Sequence, residues 1–340
     1  MEIVRTALKF ARLGAPQVHA NLAVFPLWAP STADRPYITL DEGLSSGRVR
    51  VTEVSREGSV PELCLVNEAD RPVLLVDGEE LRGAKQNRVL NLTILAPAGK
   101  TIVVPVSCVE RGRWAHRSAA FSSSDYVLYA RSRAAKAGFV SRSLGREGRA
   151  RSNQGAVWTS IEEKMNRLGT SSATKAMEDM YIARSAKIDE FVTTLRPEPD
   201  QTGAVFALNA KVAGLELFDH PDGFAKAFPK LVRSWALDAI EDSPNDVSVP
   251  PMEAASAFLE MVAEAEMQSY AAVGQGTDVR LSAAQVTGGA VVDGDRVVHL
   301  NAFLRDAEQE DHFDSGGSDG EEDEAPRDSW IARMRRRLGA

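Results

Sequence analysis

Glu79, Glu80, Glu110 and Cys108 are the residues of this chain whose types and spacing suit acid–base or covalent chemistry. All four fall between Val76 and Trp114, in VDGEELRGAKQNRVLNLTILAPAGKTIVVPVSCVERGRW. Carboxylates held in different environments divide the roles of acid, base and nucleophile, as glycosyl-bond hydrolysis requires. The plainer alternative is ion pairing with Lys85, Arg88 and Arg113, and the balanced local charge favours neither reading. Cys108 becomes a nucleophile only if Lys85 or Arg113 lowers its pKa. A strand cysteine is otherwise an inert, small apolar residue, and that is the expectation here.

Around these four stand residues suited to holding a ligand: Lys85, Gln86, Asn87, Arg88, Asn91, Arg113 and Trp114, joined by Gln154 and Trp158 from the next helical segment. Arg and Lys fix phosphates, and Trp114 offers a ring face for stacking. No His/Cys/carboxylate spacing fits a metal, no phosphate-loop glycine pattern is present, and no cofactor is indicated. His299 alternates within a strand and reads as a core or hydrogen-bonded histidine.

Positioning these residues falls to strands. Pro72–Asp77, Arg88–Leu95 and Thr101–Glu110 carry β-rich apolar runs, separated by Asp-Gly and a polar run on one side and by Ala-Pro-Ala-Gly-Lys on the other. An antiparallel meander follows, and it brings GEELRGAKQNR and CVERGRW to one sheet edge, because direction reverses at each turn. Side-chain alternation sets Cys108 and Glu110 on the face of Ile102, Val104 and Val106, while Pro105 marks an edge or bulge.

The wider pattern predicts an α+β protein, with a mostly antiparallel β barrel or sandwich first and a helical and β-hairpin half after it. We read residues 1–115 as the β-rich part carrying the site, 116–152 as a basic loop and 153–305 as an α+β part. A short helix is expected at Thr39–Ser45, capped by Thr39 with Glu42 three residues on. Helices are expected at Val157–Leu168, Thr174–Leu195, Pro221 to about Ile240 and Pro250 to about Gln268, with prolines at first-turn positions. Strands are expected at Ala204–Asn209, Gly214–Phe218, Asp278–Gln285, Ala290–Val292 and Arg296–Phe303, the last two joined by Asp293-Gly294.

A formal charge of −8 over 340 residues conceals an uneven distribution. Asp306–Glu324 holds ten acidic residues and no Lys or Arg, and the segment after it holds five Arg against one Asp, which leaves residues 1–305 at −2. That near-neutral body disfavours a general nucleic-acid binder, although Arg131–Arg151 carries seven Lys or Arg against one Glu. Residues 306–327 read as a disordered acidic linker. Residues 328–340 read as an Arg-rich amphipathic tail, which is either solvated or a tethered docking element for a protein partner. Two cysteines, no membrane-length apolar run and no secretory leader place the chain in the cytoplasm. The oligomeric state stays open.

GEELRGAKQNR, the following NLTILAPAG and PVSCVERGRW together resemble the ADP-ribosylglycohydrolase- and rhodanese/phosphatase-associated protein family, a bacterial domain family without a settled reaction. The resemblance continues through Gly155–Trp158 and FDHPDGFAKAFPKLVRSWALDA, over most of residues 15–305, and omits the basic run and the terminal segments. It implies the company of enzymes of ADP-ribose and NAD metabolism. The expectation is therefore binding, with or without hydrolysis, of an NAD- or ADP-ribose-derived nucleotide at the meander edge. A non-enzymatic protein-interaction module and nucleic-acid binding through Arg131–Arg151 are the alternatives.

Overall fold

The computed structural model describes residues 1–242 and 248–305, which form an α+β structure built on three sheets. The largest has nine strands, ordered Arg12–Leu13, Leu22–Trp28, Gly203–Leu208, Lys211–Phe218, Arg296–Leu304, Val286–Asp293, Thr277–Ser282 and Glu266–Ala271, with Gln17–His19 paired to Leu22–Trp28. All of its pairings are antiparallel. The sheet draws strands from both parts that the sequence pattern separates: Leu22–Trp28 lies directly beside Gly203–Leu208.

Both faces of this sheet are covered, which explains the continuous apolar run in Gly203–Leu208. Ala204, Phe206 and Leu208 face one core with Trp235 and Leu231 of the helix Pro221–Glu241, whereas Val205 and Ala207 face another with Val4, Leu8, Phe258 and Val262. The second core uses the helices Glu2–Lys9 and Met252–Glu264. The first of these breaks the apolar run of the N-terminus because it is amphipathic, burying Val4 and Leu8.

A six-stranded sheet, ordered Phe121–Val127, Glu79–Gly83, Arg88–Leu90, Thr101–Cys108, Glu62–Asn67 and Val49–Glu53, carries the region singled out above. A three-stranded sheet, Ile94–Ala96, Val73–Leu75 and Ile38–Thr39, completes the fold. The helix Leu40–Ser45 begins at Thr39 with both halves of the expected capping box, and Pro221 occupies the first turn of its helix. Among the described residues no helix is long and apolar enough to cross a membrane.

Four expectations are corrected. The meander is Glu79–Gly83, Arg88–Leu90 and Thr101–Cys108: GEELRG is itself a strand, and the expected strand Arg88–Leu95 divides between two sheets. Its second half leaves to pair Ile94 with Leu75, because residues 91–93 turn inward to polar partners. The run Arg131–Arg151 is no loop, since Ala130–Glu147 is an α-helix ending at Gly148 with φ 64°. Its Ala134, Ala137, Val140 and Leu144 form the buried stripe, and alanine, read as loop composition, is the strongest helix former. Thr174–Leu195 is two helices, Met177–Ala183 and Ser185–Thr194, divided at Arg184. The helix expected to reach Gln268 stops at Glu264, where the edge strand Glu266–Ala271 begins. The acidic linker and the Arg-rich tail lie outside the described residues.

A buried polar cluster joins the sheets. Lys136 donates to Asp77 and to the Leu90 and Asn91 carbonyls, and Arg133 donates to Asp77 at 3.2 Å and to Glu216 at 2.6 Å. His299 lies between Glu216 and Thr93, with Nε2 2.9 Å from Glu216 and Nδ1 2.8 Å from the Thr93 hydroxyl. Thr93 Oγ1 also accepts from the Asp77 N–H, so this one hydroxyl links Asp77 to His299. Desolvation pushes the Lys136 ammonium down to about 8 against the pull of Asp77.

Candidate functional site

Cys108 pairs with Arg88 in the ladder, and the chain beyond Cys108 then runs back along Ala84–Arg88. Val109 donates its N–H to the Asn87 carbonyl (3.1 Å), Ala115 to that of Lys85 (3.3 Å) and Arg117 to that of Ala84 (2.9 Å). GAKQNR and CVERGRW therefore meet in space. Residues 174–177 close the other side: Gly112 donates to the Thr174 carbonyl at 2.8 Å, and Met177 to that of Val109 at 2.9 Å. Gly112 permits this approach, because a β-carbon there would stand 2.9 Å from the Thr174 backbone.

Glu110 is completely buried and fully partnered. Arg113 donates to it through Nε (2.8 Å) and Nη2 (2.6 Å), the Asn87 N–H at 3.1 Å and the Thr174 hydroxyl at 2.9 Å. Burial pushes this carboxyl up, but Arg113, Asn87 and Thr174 outweigh it and hold its pKa below the ordinary value.

Glu80, also buried, makes no ion pair among the described residues; it accepts from the Ser124 hydroxyl (2.7 Å) and Asn87 Nδ2 (3.3 Å). Desolvation pushes it up to about 8, so it keeps its proton at neutral pH. Glu79 faces elsewhere, toward Lys230 Nζ (3.1 Å) and the Val76 N–H (2.8 Å), and burial raises it as well. The three carboxylates thus sit in three separate settings, with Asn87 bridging Glu80 to Glu110.

The cations divide differently. Arg113 is committed to Glu110 and to the Ala84 and Ala115 carbonyls. Arg88 is fully buried, yet among the described residues its guanidinium donates hydrogen bonds only to Gln86 Oε1 (2.9 Å) and the Asn87 carbonyl (3.5 Å). Its Nε and Nη2 have no hydrogen-bond partner, and burial lowers its pKa. Lys85 donates to the Glu57 carbonyl. The Trp114 ring, 48% exposed, lies over both cations, 5.0 Å from Lys85 Nζ and 5.7 Å from the Arg88 guanidinium carbon.

The Cys108 thiol is buried beneath this edge and donates to Gln86 Oε1 at 3.1 Å. Desolvation raises its pKa despite Arg88 nearby, as befits an unreactive thiol. Gln154 clamps the strand at the same residue, accepting from the Cys108 N–H (2.7 Å) and donating to its carbonyl (2.9 Å). Trp158 stands on the same helix, Gln154–Leu168, with the Arg111 guanidinium 5.1 Å from its ring. Asn91 stands apart, turned inward to the Ser107 hydroxyl (2.6 Å) and the Ala150 carbonyl (3.1 Å).

Sequence reasoning missed Thr174, Ser124 and Glu178. Glu178 accepts from Arg82 Nη1 at 2.5 Å and from Asn87 Nδ2 at 3.2 Å, which makes it the third carboxylate on Asn87, after Glu80 and Glu110. Nothing local marked these residues, since each reaches the site by tertiary contact alone. The run Arg131–Arg151 does not join the edge through its buried cations: Arg133 and Lys136 belong to the interior cluster, and Arg131 pairs with Asp242.

The model of the ARPP-1 domain, the ARG and Rhodanese-Phosphatase-superfamily-associated Protein domain, matches residues 10–303. No curated protein and no solved structure matches the chain.

Proposed function

This chain belongs to the ARG and Rhodanese-Phosphatase-superfamily-associated Protein domain family, and we propose that it binds an NAD- or ADP-ribose-type nucleotide at the edge formed by Lys85, Arg88 and Trp114. The observation that carries this reading is Arg88: a buried guanidinium whose Nε and Nη2 have no hydrogen-bond partner and which makes no ion pair among the described residues. Burying such a charge is costly unless something pairs with it, and a phosphate or carboxylate of a ligand would do so. Trp114 covers Arg88 from a loop position, so a ligand gains access by displacing one exposed ring. The freed ring then offers its face to a base or sugar. The family's name sets its members in the company of ADP-ribosylglycohydrolase, which agrees with that ligand class.

Binding is favoured over turnover. Glu110 is locked by Arg113, and Cys108 is a buried neutral thiol. Glu80, protonated at neutral pH, has the state a general acid needs, but it lies behind Asn87 in the present arrangement. The test is a thermal-shift panel of NAD, ADP-ribose, ADP and inorganic phosphate on the wild type and on Arg88→Met. A ligand that binds only the folded state at a hundred times its Kd adds about 2.7 kcal/mol of stability. A shift with the nucleotides that disappears in Arg88→Met supports the reading, and the same shift in both proteins overturns it.

A further inference from the structure

Beside the Arg88–Trp114 edge runs an open groove of about 740 Å³, bordered by Thr52, Ser55, Arg56, His116, Arg117 and Ser118. The groove and the edge share their walls. Glu53, which lines the groove, accepts from the Lys85 N–H at 3.3 Å, and the segment bearing His116 and Arg117 is the continuation of Trp114, hydrogen-bonded along Ala84–Lys85.

Arg56, His116 and Arg117 are all exposed, and among the described residues neither Arg56 nor His116 makes a side-chain hydrogen bond or an ion pair. Arg117 reaches Glu110 only at 3.7 Å, and Arg113 already holds that carboxylate through two bonds. Arg56, His116 and Arg117 line the groove with Glu53, and Glu57 lies in electrostatic reach of Arg56 and Lys85.

Resting on the reading of the edge given above, we propose that this groove seats a second anionic group of the same ligand. The ligand then carries two linked anionic groups, as a pyrophosphate-bridged molecule does. One group meets Arg88 and Lys85, and the other meets Arg56, His116 and Arg117, where charge-assisted bonds suit phosphoryl oxygens.

The test is calorimetric titration of the full chain with inorganic phosphate and with inorganic pyrophosphate, on the wild type, Arg56→Ala, His116→Ala and Arg88→Met. Arg56 and His116 are exposed and unpartnered, so their variants fold. The expected result is that Arg56→Ala and His116→Ala each weaken pyrophosphate at least fivefold and leave phosphate within twofold, while Arg88→Met weakens both. Equal loss of the two probes in the groove variants, or no loss of either, overturns the second subsite and leaves the edge standing. Full pyrophosphate binding in Arg88→Met overturns the edge, and the bridging ligand with it. Failure of wild type to bind millimolar pyrophosphate overturns the proposal directly.

Discussion

Glu110 and Arg113, three residues apart, form a two-bond buried ion pair in which Nε meets Oε1 at 2.8 Å and Nη2 meets Oε2 at 2.6 Å. The pair fixes the turn that carries Trp114, so Glu110 supports the edge. Removing one partner of a buried pair strands the other, at about 3–5 kcal/mol. Glu110→Gln is expected to lose about 3 kcal/mol in urea unfolding, at the lower end of that range because the amide oxygen still accepts. A variant as stable as the wild type would return Glu110 to the catalytic candidates.

Arg88 should behave in the opposite way. Its guanidinium is buried without an ion pair among the described residues and with Nε and Nη2 unpartnered, so an apolar residue of similar length removes a desolvation cost. The ligand-free Arg88→Met protein is expected to unfold at the same denaturant concentration as the wild type or higher. A loss above about 1 kcal/mol would make Arg88 structural and remove the observation behind the proposed ligand site.

Glu80 predicts a pH dependence of known sign. Its folded pKa is about 8, above the ordinary carboxylate value of 4.5, so between those values the folded state binds more protons than the unfolded state. Stability contributed by the neutral form is full below about pH 4.5 and declines as pH rises toward 8, by at most about 1.4 kcal/mol per pH unit for one group. Burial raises Glu79 as well and adds to the trend with the same sign. Glu80→Gln imitates the protonated form, and its melting temperature should fall less than that of the wild type between pH 5 and pH 8. Parallel curves would show that Glu80 is ionised in the fold.

The seven cations of Arg131–Arg151 should divide by burial. Lys136 holds Asp77 and two carbonyls, so Lys136→Met is expected to cost about 3–5 kcal/mol, because it leaves those acceptors short of a donor. Arg146 is exposed near the helix end, and Arg146→Ala should stay within about 0.5 kcal/mol. Chemical denaturation of the two variants checks this, and equal effects would contradict the burial assignments.

Much of the architecture is local information and was legible. The Thr39–Glu42 capping box, Pro221 opening its helix and the Asp293-Gly294 hairpin are set by neighbours within a few residues, where backbone propensity and short-range hydrogen bonds decide. The meeting of GAKQNR with CVERGRW follows from strand reversal alone, and so it survived the revision of the strand boundaries. The family was readable from the same blocks, which the match over residues 10–303 bears out.

Which charges pair was decided only by the tertiary structure. In sequence, Arg88, Arg113, Arg133 and Lys136 are interchangeable cations. In the fold, Arg113 finds Glu110, Arg133 and Lys136 find Asp77 across more than fifty positions, and Arg88 makes no ion pair among the described residues. The basic run read as a loop is a helix with an alanine-rich buried stripe, and Asp77 and Glu216, distant in the chain, neutralise its Arg133 and Lys136 inside the protein. Electrostatic energy depends on separation and burial in space, which sequence distance does not encode. The sequence therefore determined where polar chemistry collects, and the fold determined which of those groups pair and which, among the described residues, do not.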